Sequence, residues 1–403
     1  MREGWIKADF AACVRRIDSG TSVNSEDEAA SVTDIGVLKT SCVYTGQFRV
    51  EENKKVLQAD LDRVKCPVTA GTIIVSRMNT AQLVGASCLV RKSSPNIFLP
   101  DRLWAVTVRE QVDSEWFSYV VASPSIRRRL SEAASGTSGS MKNISQDAFF
   151  ALPALIPPLP EQRNIARILR TWDEAIEKLE ALRVATDSQY NSLARSFFDP
   201  CHPTFPERPT NWRRFGLGEV FKERDEPGNE NEKLLSITMG GGVIDRDDVG
   251  RKDTSASDKS SYKLILVGDI GYNTMRMWQG VCGLSTLRGI ISPAYTVVTP
   301  VPGRIEGRYA SHLFKSRRMV FDFERYSQGL TSDTWNLKFP AFSRIVVYLP
   351  PIQVQVRQAD LLDSVSASCN VIDRQIEALK TQKRGLLQKL LTGEWRVKVE
   401  GAL

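Results

Sequence analysis

The chain has 403 residues, 54 Lys and Arg against 47 Asp and Glu, a formal charge of +7, seven cysteines and two histidines. That length suits two or three domains with real cores, and the modest basic excess favours an anionic partner. No CxxC pair, secretory leader or membrane-length apolar run is visible, which excludes a disulfide scaffold or a membrane span and predicts a reduced, cytoplasmic chain.

Taken in order, the first block from Met1 to about Leu155 reads as mixed strands with few helices. Trp5 and Phe10 open it, and the acidic stretch Ser22 to Ser31 reads as a surface loop. Strand-like pieces follow at Val37 to Val43, Thr72 to Val75, Leu83 to Val90 and Leu103 to Val108, punctuated by Gly, Pro and Asn. The paired prolines Pro157 and Pro158 then force extended backbone into a helical first turn. Glu161 falls in that turn, where a carboxylate meets the positive end of the helix dipole. Apolar residues at Ile165, Leu169, Trp172, Ile176, Leu179, Tyr190, Leu193 and Phe197 predict a helix from about Glu161 to Phe198 with a coiled-coil seam. At about 1.5 Å per residue such a helix is on the order of 57 Å long. The prolines at 200, 203, 206 and 209 suit a stiff polyproline II connector.

From Asn211 the chain starts again. Trp212 and Leu217 stand where Trp5 and Phe10 stood, and Gly71 to Met78 matches Gly268 to Met275 as a strand entering a polar turn. Shifting the sequence by 193 residues aligns nine identities between Gly136 and Leu169: Gly136/Gly329, Asn143/Asn336, Ala148/Ala341, Phe149/Phe342, Pro157/Pro350, Pro158/Pro351, Gln162/Gln355, Ala166/Ala359 and Leu169/Leu362. Roughly two would arise from composition alone. The second seam runs through Leu362, Val365, Cys369, Ile372, Ile376, Leu379, Leu386 and Leu390 and predicts a helix from about Gln353 to Leu391, capped at Gly393. Two one-sided helices in a duplicated chain need partners for their seams, and antiparallel packing on each other supplies them. Arg183 and Lys383 fall on seam positions, where they either break the seam, fix its register or invite a partner's acids. The expected architecture is α+β, with two mixed α/β blocks in tandem separated by two long helices forming an antiparallel coiled coil. The expected segments are 1–157, a helix at 158–199, a linker at 200–210, a second block at 211–350, and a helix with its tail at 351–403.

Catalytic motifs are missing. There is no phosphate-binding Gly-x-x-x-x-Gly-Lys-Ser/Thr loop, no Asn-Pro-Pro-Tyr tetrapeptide and no ligand-spaced histidine, since His202 and His312 stand apart. Glu51-Glu-Asn-Lys54 holds a Glu-x-Lys fragment that chance alone supplies. Two similar blocks suit a bipartite DNA site, whose half-sites on one face lie roughly 34 Å apart per helical turn. The richest candidate turn is Asn273 to Gln279, where Asn273, Thr274, Arg276, Trp278 and Gln279 offer the amide, hydroxyl, guanidinium and aromatic groups of direct readout. Its counterpart in the first block carries Ser76, Arg77, Asn79, Thr80 and Gln82. Polar turns at Thr137, Ser138 and Lys142, and at Gln328 and Thr331, suit phosphate contacts, and Lys39, Thr40 and Thr238 follow the same logic. Asn143 and Asn336, repeated in both halves, suit fixing of the turn or contact with the DNA backbone.

The run from Pro157 to Gln162 (Pro-Pro-Leu-Pro-Glu-Gln), Ile-Glu-Ala-Leu-Lys from Ile376 to Lys380, and Lys-Arg-Gly-Leu-Leu-Gln-Lys-Leu-Leu-Thr-Gly from Lys383 to Gly393 resemble the specificity subunit of type I restriction–modification systems. The resemblance implies a non-catalytic subunit. Its two target-recognition domains would each read half of a split sequence in double-stranded DNA, while its helices dock two methyltransferase subunits, with restriction subunits added. It implies docking at Pro157, Pro158, Glu161, Gln162, Pro350, Pro351 and Gln355, with S-adenosylmethionine, ATP and Mg on the partners and no metal or cofactor of its own. Ile352-Gln-Val-Gln355 departs from the Leu-Pro-Glu-Gln form, so unequal docking surfaces are expected. The alternative is a coiled-coil scaffold with protein-binding ends.

Overall fold

A computed structural model describes residues 4–136, 141–205, 207–229, 231–249, 258–331 and 334–397. The chain forms two compact units, Met1–Lys178 with Ile376–Leu403, and Leu179–Gln375. This division cuts through both long helices instead of setting them apart from the blocks.

In the first unit an antiparallel sheet runs in the order Val14–Ser19, Leu103–Val108, Ile73–Ser76, Ser87–Leu89. Successive strand side chains point to opposite faces, so this Val- and Ile-rich sheet needs two cores. Ile73, Val75, Trp104 and Val106 face a core shared with Trp116, Phe117 and Leu130, from the helices Ser114–Ala122 and Pro124–Ala133. Ile74, Leu103 and Ala105 face a second core with Leu38, Cys42 and Ile97. That core lies under a smaller sheet, ordered Asn53–Lys55, Gly36–Leu38, Ser94–Phe98, Pro67–Val68. Phe10 meets Phe117 and Phe149 edge-on, at 4.8 and 5.2 Å between ring centroids. Strand Ile6–Asp9 pairs antiparallel with Pro153–Ile156, which leads into the first long helix, Leu159–Phe198. Ile165, Ala166 and Leu169 are buried with Leu390 of the second long helix, Ile352–Leu391. Lys383 pairs with Asp173, and Arg396, beyond the second helix, reaches Glu161 at 2.8 Å near the start of the first. The two helices are therefore antiparallel within this unit.

The second unit repeats the plan. Its sheet runs Phe221–Glu223, Tyr295–Pro300, Ile270–Asn273, Cys282–Leu284, and Arg213–Gly216 pairs with Val346–Leu349. Helices Gly307–Leu313 and Arg317–Tyr326 cover one face. The other face carries two hairpin-like pairs, Leu235–Thr238 with Gly242–Asp245 and Lys263–Ile265 with Gly289–Ile291, in place of the smaller sheet. Gly271 lets them approach: a Cβ there would lie 2.6 Å from Ile237 Cδ1. Tyr190, Leu193 and Phe197 pack with buried Ala359 and Leu362, and Arg183 meets Asp373 at 3.0 Å, so the helices are antiparallel in this unit too.

Several sequence expectations need correction. Among the described residues the few helices of the first block are three, Ser114–Ala122, Pro124–Ala133 and Gln146–Phe150, and the sequence pattern locates none of them; the first buries the unbroken run from Trp116 to Val121, which hides a helical period. Thr40–Val43 is a 3₁₀ turn rather than strand, and the strand expected from Leu83 shortens to Ser87–Leu89. The proline connector is not polyproline II, which has no internal hydrogen bonds. His202 N–H donates to Asp199 O and Phe205 N–H to His202 O, while Arg208 donates to the carbonyls of Pro200, His202 and Pro203. Arg208 also sits 3.3 Å from the centre of the Tyr348 ring. The seam cations Arg183 and Lys383 neither break the seam nor await a foreign acid, since Asp373 and Asp173 answer them from the facing helix.

Candidate nucleic-acid interface

Each helix start is pinned to its block by a glutamine. Gln162 is 1% exposed; its Oε1 accepts the Asp113 N–H at 2.8 Å, and its Nε2 donates to Pro157 O at 2.9 Å and to Gln111 O at 3.4 Å. Gln355, also 1% exposed, accepts the Glu306 N–H at 3.0 Å and donates to Pro350 O at 2.9 Å and Arg304 O at 3.1 Å. Every partner of Gln355 stands 193 residues after the partner of Gln162. Glu161, likewise 1% exposed, accepts from Trp5 Nε1 at 2.9 Å and from Arg396. The docking assignment is corrected accordingly: Glu161, Gln162 and Gln355 point inward and are engaged by their own unit, Pro157 and Pro350 are buried, and only Pro158 and Pro351 are exposed. Unpaired, these amides and the carboxylate could not be buried so cheaply.

A second matched feature ties each block to its helix pair. Tyr119 Oη donates to Asp173 at 2.6 Å, and Asp173 also holds Lys383. In the other unit Tyr190 Oη lies 2.8 Å from His312 Nδ1, and His312 Nε2 lies 2.8 Å from Asp363. Burial, followed by the Asp173 carboxylate, pushes the Tyr119 phenol up, and burial with the nearby Asp363 charge pushes Tyr190 up to about 12. Both phenols therefore stay neutral near neutral pH, and that of Tyr119 donates to the Asp173 carboxylate.

On these frames stand the turns expected to read DNA. In the first unit the chain leaves strand Ile73–Ser76, and Arg77 is held by backbone bonds to Arg102 and Ile144 at 3.1 and 2.9 Å. Met78–Asn79 then pairs with Lys142–Asn143. Asn79 Nδ2 donates to Tyr44 Oη at 2.8 Å and to Ser76 Oγ at 3.2 Å, its Oδ1 accepts the Thr80 N–H at 2.9 Å, and Tyr44 Oη lies 2.8 Å from Thr40 Oγ1. The fold thus gathers Thr40, Ser76, Asn79, Thr80 and Lys142. Lys39 immediately precedes the 3₁₀ turn. The Gln82 carbonyl is braced by Arg127 at 2.9 Å, leaving its side chain exposed. Ser76 is 0% exposed, so its hydroxyl serves Asn79 and reaches no base, which corrects its assignment. Thr137 and Ser138 lie outside the described residues.

In the second unit Asn273 Oδ1 accepts the Met275 N–H at 3.0 Å, and Thr274 Oγ1 donates to Ala294 O at 2.8 Å. Thr274 O accepts the Leu337 N–H as Arg77 O accepts that of Ile144, which makes Thr274 and Arg77 equivalent. Arg276 is exposed and bonds Gln279 at 3.3 Å; Trp278 donates to Met275 O and stacks edge-on against Trp335 at 5.3 Å. Gln328 pairs by backbone with Asn336 and exposes its side chain, as does Thr331 beside Thr334. Ser135 and Asn143 form the same bridge in the first unit. Thr238 accepts the Gly241 N–H and locks a hairpin turn. Tyr44 and Trp335 belong to these clusters and carry no motif; their only signal is a lone aromatic in a polar turn.

The exposed groups can hydrogen-bond and stack but include no nucleophile with a base. Glu52 is tied to Ser41 and Lys54 to Asp27, so the Glu-x-Lys fragment is engaged locally. Among the described residues no three His, Cys, Asp or Glu side chains converge as a metal site, and no helix is long and apolar enough to cross a membrane.

No family model matches the chain. It is 26% identical over 198 residues to the type I restriction enzyme EcoEI specificity subunit of Escherichia coli, a match covering 49% of this chain and only 33% of that relative. It is 24% identical over 306 residues to the MjaVIII specificity subunit of Methanocaldococcus jannaschii, covering 68% of this chain and 69% of that one. Among solved structures, the S subunit of a type I restriction–modification system from M. genitalium superposes with a TM-score of 0.62 at 16% identity, covering 96% of both chains. A chain from a structure of type I restriction–modification complex assembly and conformational transition gives 0.55 at 16% identity, covering 98% of this chain and 99% of that one. Through these sequence matches, with a fold in agreement, the chain is a relative of the type I restriction–modification specificity subunits.

Proposed function

We propose that the chain is the DNA-specificity subunit of a type I restriction–modification complex in the cytoplasm. Each unit reads one half of a bipartite double-stranded site, and the chain itself is non-catalytic. One observation carries the reading: two units share a frame down to the hydrogen bonds of Gln162 and Gln355, while the turns they present differ in chemistry. A reader of one split sequence with unlike halves needs that combination. Two methyltransferase subunits, and restriction subunits where present, supply S-adenosylmethionine, ATP and Mg chemistry. Docking falls to surfaces around exposed Pro158 and Pro351, with the inward Glu161 and Gln residues shaping them. Phosphate contacts fall to half-buried Lys39 and Lys142, and base contacts to the turns of Asn79 and Arg276.

The test is methylation mapping of a host carrying this chain with a methyltransferase subunit, against the same host without it. Adenine methylation at one split motif, with only one half changing when residues 211–350 are exchanged for a relative's, supports the reading. A complex that assembles but imposes no motif rejects it in favour of a protein-binding scaffold.

A further inference from the structure

The hydrogen-bond inventory of the first unit's turn moves the base contact away from the residue the sequence favours. An asparagine reads adenine by offering one N–H and one carbonyl lone pair together. Both N–H groups of Asn79 are already committed, to Tyr44 Oη at 2.8 Å and Ser76 Oγ at 3.2 Å, and its Oδ1 holds the Thr80 N–H. Asn79 has no proton left for a base.

The neighbouring pair does. Thr40 Oγ1 and Tyr44 Oη lie 2.8 Å apart, and either can be the donor. The pair owns two hydroxyl protons, and its mutual bond uses one. Among the described residues the other has no acceptor. Tyr44 is 38% exposed, and the Asn79 N–H donated into its oxygen polarises the hydroxyl toward giving its proton outward.

We propose that Tyr44 is the base-reading group of the first unit, donating its phenol proton to a hydrogen-bond acceptor on a base edge, with Asn79 and Thr40 as positioning residues. This rests on the reading of the chain as a DNA-specificity subunit. In the major groove guanine, adenine and thymine each offer an acceptor, whereas cytosine offers only its amino donor. The contacted position therefore rejects cytosine.

The experiment uses the full chain assembled with its methyltransferase subunits and measures methylation rates on duplexes carrying each base in turn at every position of both half-sites. Tyr44→Phe is expected to lower discrimination against cytosine by about three- to tenfold at one position of the first unit's half-site. The other half-site stays as in the wild type, and Thr40→Val keeps discrimination because the Tyr44 proton is then free. Unchanged discrimination in Tyr44→Phe, its loss in Thr40→Val alone, or its loss in both half-sites of Tyr44→Phe overturns the proposal. A wild-type complex that discriminates nowhere instead overturns the DNA-specificity reading beneath it.

Discussion

The two units agree where they meet the long helices and disagree where they face outward. Gln162 and Gln355 bond the same three backbone groups, and Tyr119 and His312 occupy matched places in short polar chains to the helices. Above them the first unit offers Thr40, Tyr44 and Asn79, the second Arg276, Trp278 and Trp335. The lesson is that the backbone frame was kept by the cost of burying unpaired polar groups, while exposed turns were free to change. A further asymmetry lies in the frame itself: Glu161 ties Trp5 and Arg396 in the first unit, whereas Val354 stands at its place in the second and Arg208 over Tyr348 closes that end.

The sharpest test of the shared frame is Gln162→Leu or Gln355→Leu. Each leaves a buried N–H and two carbonyls unpaired and is expected to cost about 2–4 kcal/mol, lowering the transition of its own unit by roughly 5–10 °C in calorimetry. Equal shifts in the two variants support equivalence, and a neutral result in either breaks it. Next in size, Glu161→Gln weakens the Trp5 and Arg396 contacts and should destabilise the first unit by about 1–3 kcal/mol in urea unfolding, while Val354→Ala stays below about 1 kcal/mol. Equal losses would remove the asymmetry. Arg276→Ala is expected to relax one position of the second half-site by about 1 kcal/mol or more in duplex competition, without touching the first. The smallest effect belongs to Arg183→Met, whose half-exposed pair with Asp373 is worth at most about 1 kcal/mol and fades at high salt.

The duplication, the long helices and their antiparallel pairing were legible because heptad spacing and the Pro-Pro starts are local signals that survive divergence. The helices Ser114–Ala122 and Pro124–Ala133 were not: the first buries the unbroken run from Trp116 to Val121 and hides its period, while the second has only Ile126 and Leu130 buried to mark one. The proline connector misled because the long-range reach of Arg208 decides its shape, and spacing alone cannot show that. Within the candidate turns, the fold decides which groups are free and which are already bonded, and the sequence does not show that. Asn79 has the chemistry of a reader, yet only the fold shows its protons bound to Tyr44 and Ser76, and only burial shows Ser76 to be internal. Glu161 and Gln162 were conspicuous for the opposite reason: a motif residue reads as a surface contact until its partners Asp113, Trp5 and Arg396, far away in sequence, are seen.

The clasp of Trp5, Glu161 and Arg396 also orders events during synthesis. The second unit is one uninterrupted stretch, whereas the first needs residues from both sides of it. A chain emerging from the ribosome can complete the second unit while the first still lacks Lys383, Leu390 and Arg396. The part synthesised first is therefore finished last, and until then the apolar face around Ile165 and Leu169 is open to chaperones or to aggregation.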